Sequence, residues 1–208
     1  IGLNVDYGLD ESYLWVAAGR NSGIGNSILT STDGLTWTGR GATDIITSIA
    51  YGVAYGNNLW VAIGTGGNTI ATSPDGITWT GRGIIFNYNG FGIAYGNGLW
   101  VALGASDNNA IATSTDGINW TGRGKTMFGA GWGATYANNL WVAGGQGGGN
   151  TIATSTNGIT WTGRGNSIIT TIVNKVAYGN NLWVAVGLGA NTIATSTDGI
   201  NWTGRGNT

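Results

Sequence analysis

One phrase governs the chain. Thr192-Ile-Ala-Thr-Ser-Thr-Asp-Gly-Ile-Asn-Trp-Thr-Gly-Arg-Gly206 has near copies ending at Gly41, Gly83, Gly124 and Gly165. Its tryptophans, Trp37, Trp79, Trp120, Trp161 and Trp202, lie 42, 41, 41 and 41 positions apart. A period near 40 is the length of one four-stranded propeller blade. Five such units use up the 208 residues, which predicts an all-β, five-bladed β-propeller with four antiparallel strands per blade. The blades run approximately over residues 1–41, 42–83, 84–124, 125–165 and 166–208 of a single domain.

Each copy reads as a β-hairpin. Thr69-Ile-Ala-Thr-Ser is rich in β-branched residues that suit a pleated, half-buried surface. The turn follows at Asp33-Gly34, Asp75-Gly76, Asp116-Gly117 and Asp198-Gly199, where Asp accepts backbone N–H groups and Gly takes positive φ. Blade four has Asn157-Gly158; the slot needs an acceptor and no anion, which weighs against a metal ligand. The returning strand carries the tryptophan.

Ser31-Thr-Asp-Gly-Leu-Thr-Trp37 and its copies resemble the Asp-box of sialidase-type propellers, in a variant one residue shorter because Asp and Gly are adjacent. The resemblance covers all five repeats. In that family the box is a structural hairpin outside the active site, so it implies the fold and no catalysis. A five-bladed ring would resemble the tachylectin-type lectins in architecture alone, since none of their motifs is present.

The rest of each unit supplies two more strands. The first, innermost, ends in Tyr: Val5-Asp-Tyr7, Val53-Ala-Tyr55, Ile93-Ala-Tyr95, Ala134-Thr-Tyr136 and Val176-Ala-Tyr178. Short Asn/Gly turns follow, such as Gly56-Asn-Asn58, while blade one has the longer Gly8–Tyr13 tip. The second strand is Leu-Trp-Val-Ala from Leu14, Leu59, Leu99, Leu140 and Leu182, apolar on both faces as a strand between blades must be. With this order both variable loops, the one before the third strand and the one linking blades, share one rim. Phe86, Tyr88, Phe91, Phe128 and Trp132 show no common register and are expected to plug the axis, the alternative being a ligand box. Only six residues precede Tyr7, whereas each later such Tyr stands 12 to 14 positions after the end of the preceding phrase; contiguous blades are expected, with no strand exchanged.

Composition removes function classes. Charged residues are 8% of the chain, the net charge is −1, and five of the six arginines belong to the repeat. No basic stripe exists to hold a phosphate backbone, so nucleic acid is not an expected partner. No apolar run approaches a membrane span, and no signal peptide is visible, although the chain begins at Ile1. The absence of His and Cys removes the commonest general base and metal ligands; no cofactor and no metal is expected. The single glutamate, Glu11, sits in a blade-one turn on the rim opposite the variable loops, and near-identical units offer no asymmetric catalytic pocket. The chain reads as a non-enzyme.

Two positions recur on the variable rim. Arg40, Arg82, Arg123, Arg164 and Arg205 lie seven residues after the turn Asp or Asn, about 20 Å away along a strand. Either they bind loop carbonyls or stack on Trp, or they are equivalent donors for a ligand carboxylate or hydroxyl. Asn26, Asn68, Asn109, Asn150 and Asn191 precede the third strand and read either as second ligand contacts or as left-handed turn residues. Asn119-Trp-Thr121 and Asn201-Trp-Thr203 match the N-glycosylation pattern by chance. The preferred reading is a lectin-like, multivalent module for glycans on the variable rim, outside the cell or on a particle surface. The alternatives are a self-assembling structural component, a homo-oligomer or higher assembly, or an amplified consensus repeat without ligand.

Overall fold

The computed structural model describes residues 3–4, 14–20, 25–41 and 45–207. All regular structure among them is β, in five four-stranded antiparallel sheets, the blades of a β-propeller. Blade one is β1 (Leu3–Asn4), β2 (Trp15–Ala18), β3 (Ile28–Ser31) and β4 (Thr38–Gly39). Blade two is β5 (Ile49–Gly56), β6 (Leu59–Thr65), β7 (Ile70–Ser73) and β8 (Thr80–Gly81). Blade three is β9 (Asn89–Gly96), β10 (Leu99–Ala105), β11 (Ile111–Ser114) and β12 (Thr121–Gly122). Blade four is β13 (Ala130–Ala137), β14 (Leu140–Gln146), β15 (Ile152–Ser155) and β16 (Thr162–Gly163); blade five is β17 (Ile172–Gly179), β18 (Leu182–Leu188), β19 (Ile193–Ser196) and β20 (Thr203–Gly204).

Within each sheet the strands follow chain order, and among the described residues none from the N-terminus joins blade five. The first strands of successive blades touch one another, which places them innermost. In blade one Leu3 stands opposite Ala17, the place that Val53 takes against Ala62. Alignment with blade two put Val5 there, two residues later in the chain. Tyr7, the Gly8–Tyr13 tip and Glu11 lie outside the described residues.

The inner turns are built by asparagine. Asn57 and Asn58 have φ of 51° and 56°, and Asn138–Asn139 and Asn180–Asn181 repeat the pair, the double positive φ of a tight hairpin turn. Across each turn Tyr meets Trp: Tyr55–Trp60, Tyr95–Trp100 and Tyr178–Trp183 have ring centroids 4.8 Å apart. Dry clusters fill the space between consecutive blades, with Trp100, Trp141 and Trp183 fully buried.

The loop aromatics correct the sequence reading. Phe86 and Phe128 occupy one repeated place with Ile46 and Ile169, all fully buried in the blade–blade clusters and not over the axis. A bulge in each of β5, β9, β13 and β17 leaves Tyr51, Phe91, Trp132 and Asn174 without a ladder partner. There Tyr51 meets Phe91 edge-on at 5.2 Å, and Phe91 stacks on Trp132 at 4.2 Å. Phe91 and Trp132 are thus innermost; Tyr88 is exposed on the rim, its hydroxyl donating to Asp107 at 2.6 Å.

Candidate functional site

The variable rim gathers both sets of loops. Asn68 Nδ2 donates to the Ile45 carbonyl at 3.0 Å, and Asn191 Nδ2 to that of Ile168 at 2.8 Å, tying the loop before the third strand to the blade link. The same asparagines accept through Oδ1 from the backbone of the phrase's last glycine, 2.7–3.0 Å from Gly41, Gly83, Gly124, Gly165 and Gly206. These glycines hold positive φ, 53° to 88°. The glycine before each arginine has another reason: a Cβ on Gly122 would lie 2.2 Å from Asn109 Oδ1. The Gly-Arg-Gly signature is therefore a clasp for the asparagine. None of Asn26, Asn68, Asn109, Asn150 and Asn191 is left-handed; the side chains of Asn68, Asn150 and Asn191 join backbone to backbone.

The arginines stand beside this clasp. The Nε of Arg40, Arg82, Arg123, Arg164 and Arg205 donates to Thr30, Thr72, Thr113, Thr154 and Thr195, at 2.5–2.9 Å. Neither a loop carbonyl nor a stacked Trp is the anchor; a third-strand hydroxyl is. The terminal nitrogens make no hydrogen bond among the described residues.

A groove of about 250 Å³ opens between blades three and four. Blade three lends it Ile111 and Arg123; the link adds Met127 and Phe128; the blade-four hairpin adds Thr160 and Trp161. The pairs Arg40–Trp79, Arg82–Trp120 and Arg164–Trp202 hold equivalent places along the chain. A second, wider cavity of about 400 Å³ is bordered by both Asp33 and Arg40. Strand arithmetic had put about 20 Å between that Asp and Arg. The Arg40 side chain reaches back to Thr30, the residue before the Ser31 that binds Asp33, and so borders the same hollow.

The hairpin turn itself is self-contained. In blade three Ser114 Oγ donates to Asp116 Oδ1 at 2.8 Å and accepts from the backbone of Asp116 and Gly117. Asp116 Oδ1 accepts from the backbone of Ile118 and Asn119, and Trp120 Nε1 donates to the Gly117 carbonyl at 3.0 Å. Asn157 accepts the same two backbone bonds at 2.9 Å. These N–H groups hold the carboxyls of Asp33, Asp75, Asp116 and Asp198 well below the usual range. Asn119 and Asn201 spend their amides on Asp116 and Asp198. Among the described residues no three His, Cys, Asp or Glu side chains group as metal ligands, and no helix is long and apolar enough to cross a membrane.

No protein-family model and no curated protein matches the chain. Solved structures do. A computationally designed protein, Ika8, aligns with a TM-score of 0.54 and 16% identity over 92% of this chain and 56% of its own. The GH74 enzyme of Niastella koreensis aligns at 0.65 and 18% over 97% of this chain and 30% of its own. A nidogen/laminin complex aligns at 0.64 and 15% over 90% of this chain and 72% of the matched chain. The chain thus spans little more than half of the designed protein and a third or less of the enzyme. At such identities the likeness is one of fold.

Proposed function

We propose that the chain is a non-enzymatic, multivalent binding module that takes carbohydrate in the grooves between its blades. The observation that carries this reading is Arg123 lining one groove with Trp161, its Nε anchored on Thr113 and its terminal nitrogens unengaged. A fixed guanidinium offers planar donors to hydroxyl or carboxylate oxygens, and an indole offers a face to the C–H side of a sugar. The arginines make the contacts. Asn26, Asn68, Asn109, Asn150 and Asn191 hold the backbone beside the arginines, since their side chains accept from the glycine that follows each one. The hairpin is read as a shortened Asp-box, supported by the Ser–Asp–Trp bonding pattern. Display outside a cell or on a particle surface suits such a module.

Single shallow sites would be weak, but several on one rigid body raise avidity about 10²–10⁴-fold toward a multivalent target. A glycan array probed with the native protein, and with the five repeat arginines changed to Ala, tests the proposal. Signal from the native protein that disappears from the folded variant supports it. An unchanged signal removes the arginines from the site, and no native signal leaves the purely structural reading.

A further inference from the structure

Four seams join consecutive blades, and among the described residues no cluster joins blade five to blade one. Each blade presents a forward face to its successor. Ile63 and Leu103 on that face are fully buried, whereas Val186, at the same place in blade five, is 40% exposed and Leu188 52%. The opposite face of blade one is bare as well: Leu35 is 87% exposed, against 40–44% for Ile77, Ile118, Ile159 and Ile200. Glycine surroundings mark the same break. A Cβ on Gly199 would meet Leu140 and Val142 of the preceding blade, and Gly76, Gly117 and Gly158 have equivalent neighbours; Gly34 has only Trp15 of its own blade. At the inner end, Gly56 and Gly96 lie under Tyr95 and Tyr136 of the next blade, while Gly179 has nothing within 4 Å.

The two bare faces are halves of a contact the chain already makes four times. Leu182-Trp-Val-Ala in blade five repeats Leu140-Trp-Val-Ala, whose forward side covers the blade-five hairpin. Blade one's Ser31-Thr-Asp-Gly-Leu-Thr-Trp37 repeats the hairpins that such faces cover. Blade one also carries Leu29 where other blades have Ala71, Ala112, Ala153 and Ala194, which enlarges its apolar face. We propose that blade five of one chain packs against blade one of a second copy, continuing the blade-to-blade seam between molecules. Such a contact is head-to-tail, so it generates a closed ring if the rotation closes and an open chain if it does not.

The test is mass by light scattering at about 100 µM, above the micromolar Kd that an interface of standard size reaches. The native chain should run at a multiple of 21.3 kDa; a fixed multiple marks a ring, a mass rising with concentration an open chain. Val186→Glu with Leu188→Glu blocks one face, and Leu29→Glu with Leu35→Glu blocks the other. Each variant alone should be monomeric. Mixed in equal amounts they retain one intact face each, and should form a dimer and nothing larger, which also proves both are folded. A native monomer would mean that the faces close on each other within one chain or stay bare, and overturns the proposal. So does a blocked variant of native mass, or a mixture that stays monomeric.

Discussion

Phe128 is the side chain on which one seam turns. It is fully buried between blades three and four, and it also floors the groove that holds Arg123 and Trp161. Its room comes from Gly145, where a Cβ would lie 2.4 Å from the Phe128 ring. Phe128→Ala removes about 150–200 Å² of buried apolar surface, about 4–5 kcal/mol at 25 cal/mol per Å². Truncations of buried Phe cost about 3–5 kcal/mol, a large part of the 5–15 kcal/mol that holds a typical domain together. Phe128→Ile should cost no more than about 1.5 kcal/mol, because Ile46 and Ile169 fill the same place in other seams.

Repeat arrays unfold by neighbour contacts and can lose cooperativity. The readout is therefore hydrogen exchange of the β14 amides, beside global urea denaturation followed by tryptophan fluorescence. Ala should accelerate exchange across Trp141–Ala143 and lower the urea midpoint. If Ala costs under about 1 kcal/mol, or Ile costs as much as Ala, Phe128 is not the repeated seam residue argued above.

Three further outcomes follow from the same geometry. The hairpin carboxyls titrate below their ordinary range when folded, so their contribution is complete above about pH 4 and lost as pH falls; changing all four to Asn, as blade four already has, should flatten the thermal midpoint between about pH 5 and pH 2, and equal acid losses in both proteins would refute it. Gly96→Ala drives a Cβ to 2.4 Å from Tyr136 and should cost about 1–3 kcal/mol, while Gly179→Ala in dilute, dissociated protein should be neutral or stabilising by urea midpoint; equal costs would mean the seam is closed. Asn109→Ala leaves the Gly124 N–H without its partner and should cost about 1–3 kcal/mol, whereas Arg123→Ala should cost under about 1 kcal/mol; reversed magnitudes would exchange the scaffold and contact roles.

The period, the hairpins and the shared rim were legible because each is a local pattern repeated five times. The common place of Ile46, Phe86, Phe128 and Ile169 was missed because the residue type changes between Ile and Phe while the spacings of 40, 42 and 41 drift with link length. The asparagine clasp joins side chains 15 positions away from the glycines they serve; its only signal in the sequence was that Asn and Gly-Arg-Gly always occur together. The open seam had no local signal. Closure depends on the rotation per blade summed over the array, and near-identical units specify the step without saying how many steps complete a turn.

The grooves and the open seam bear on one another. The observed groove takes Arg123 from blade three and Trp161 from blade four, and Arg40–Trp79, Arg82–Trp120 and Arg164–Trp202 hold equivalent positions in the sequence. Arg205 belongs to blade five and Trp37 to blade one, so the contact proposed between copies would bring them onto one seam. If the proposed function and the proposed contact both hold, a sugar bound in that shared groove would stabilise the contact by RT ln(1 + [L]/Kd), about 1.4 kcal/mol, or tenfold tighter association, at ten times Kd. The apparent association constant, measured by analytical ultracentrifugation with rising ligand, should climb for the native chain and for Arg123→Ala, and stay flat for Arg205→Ala. If the two arginine variants behave alike, the groove at the seam between copies is not the site that links binding to assembly.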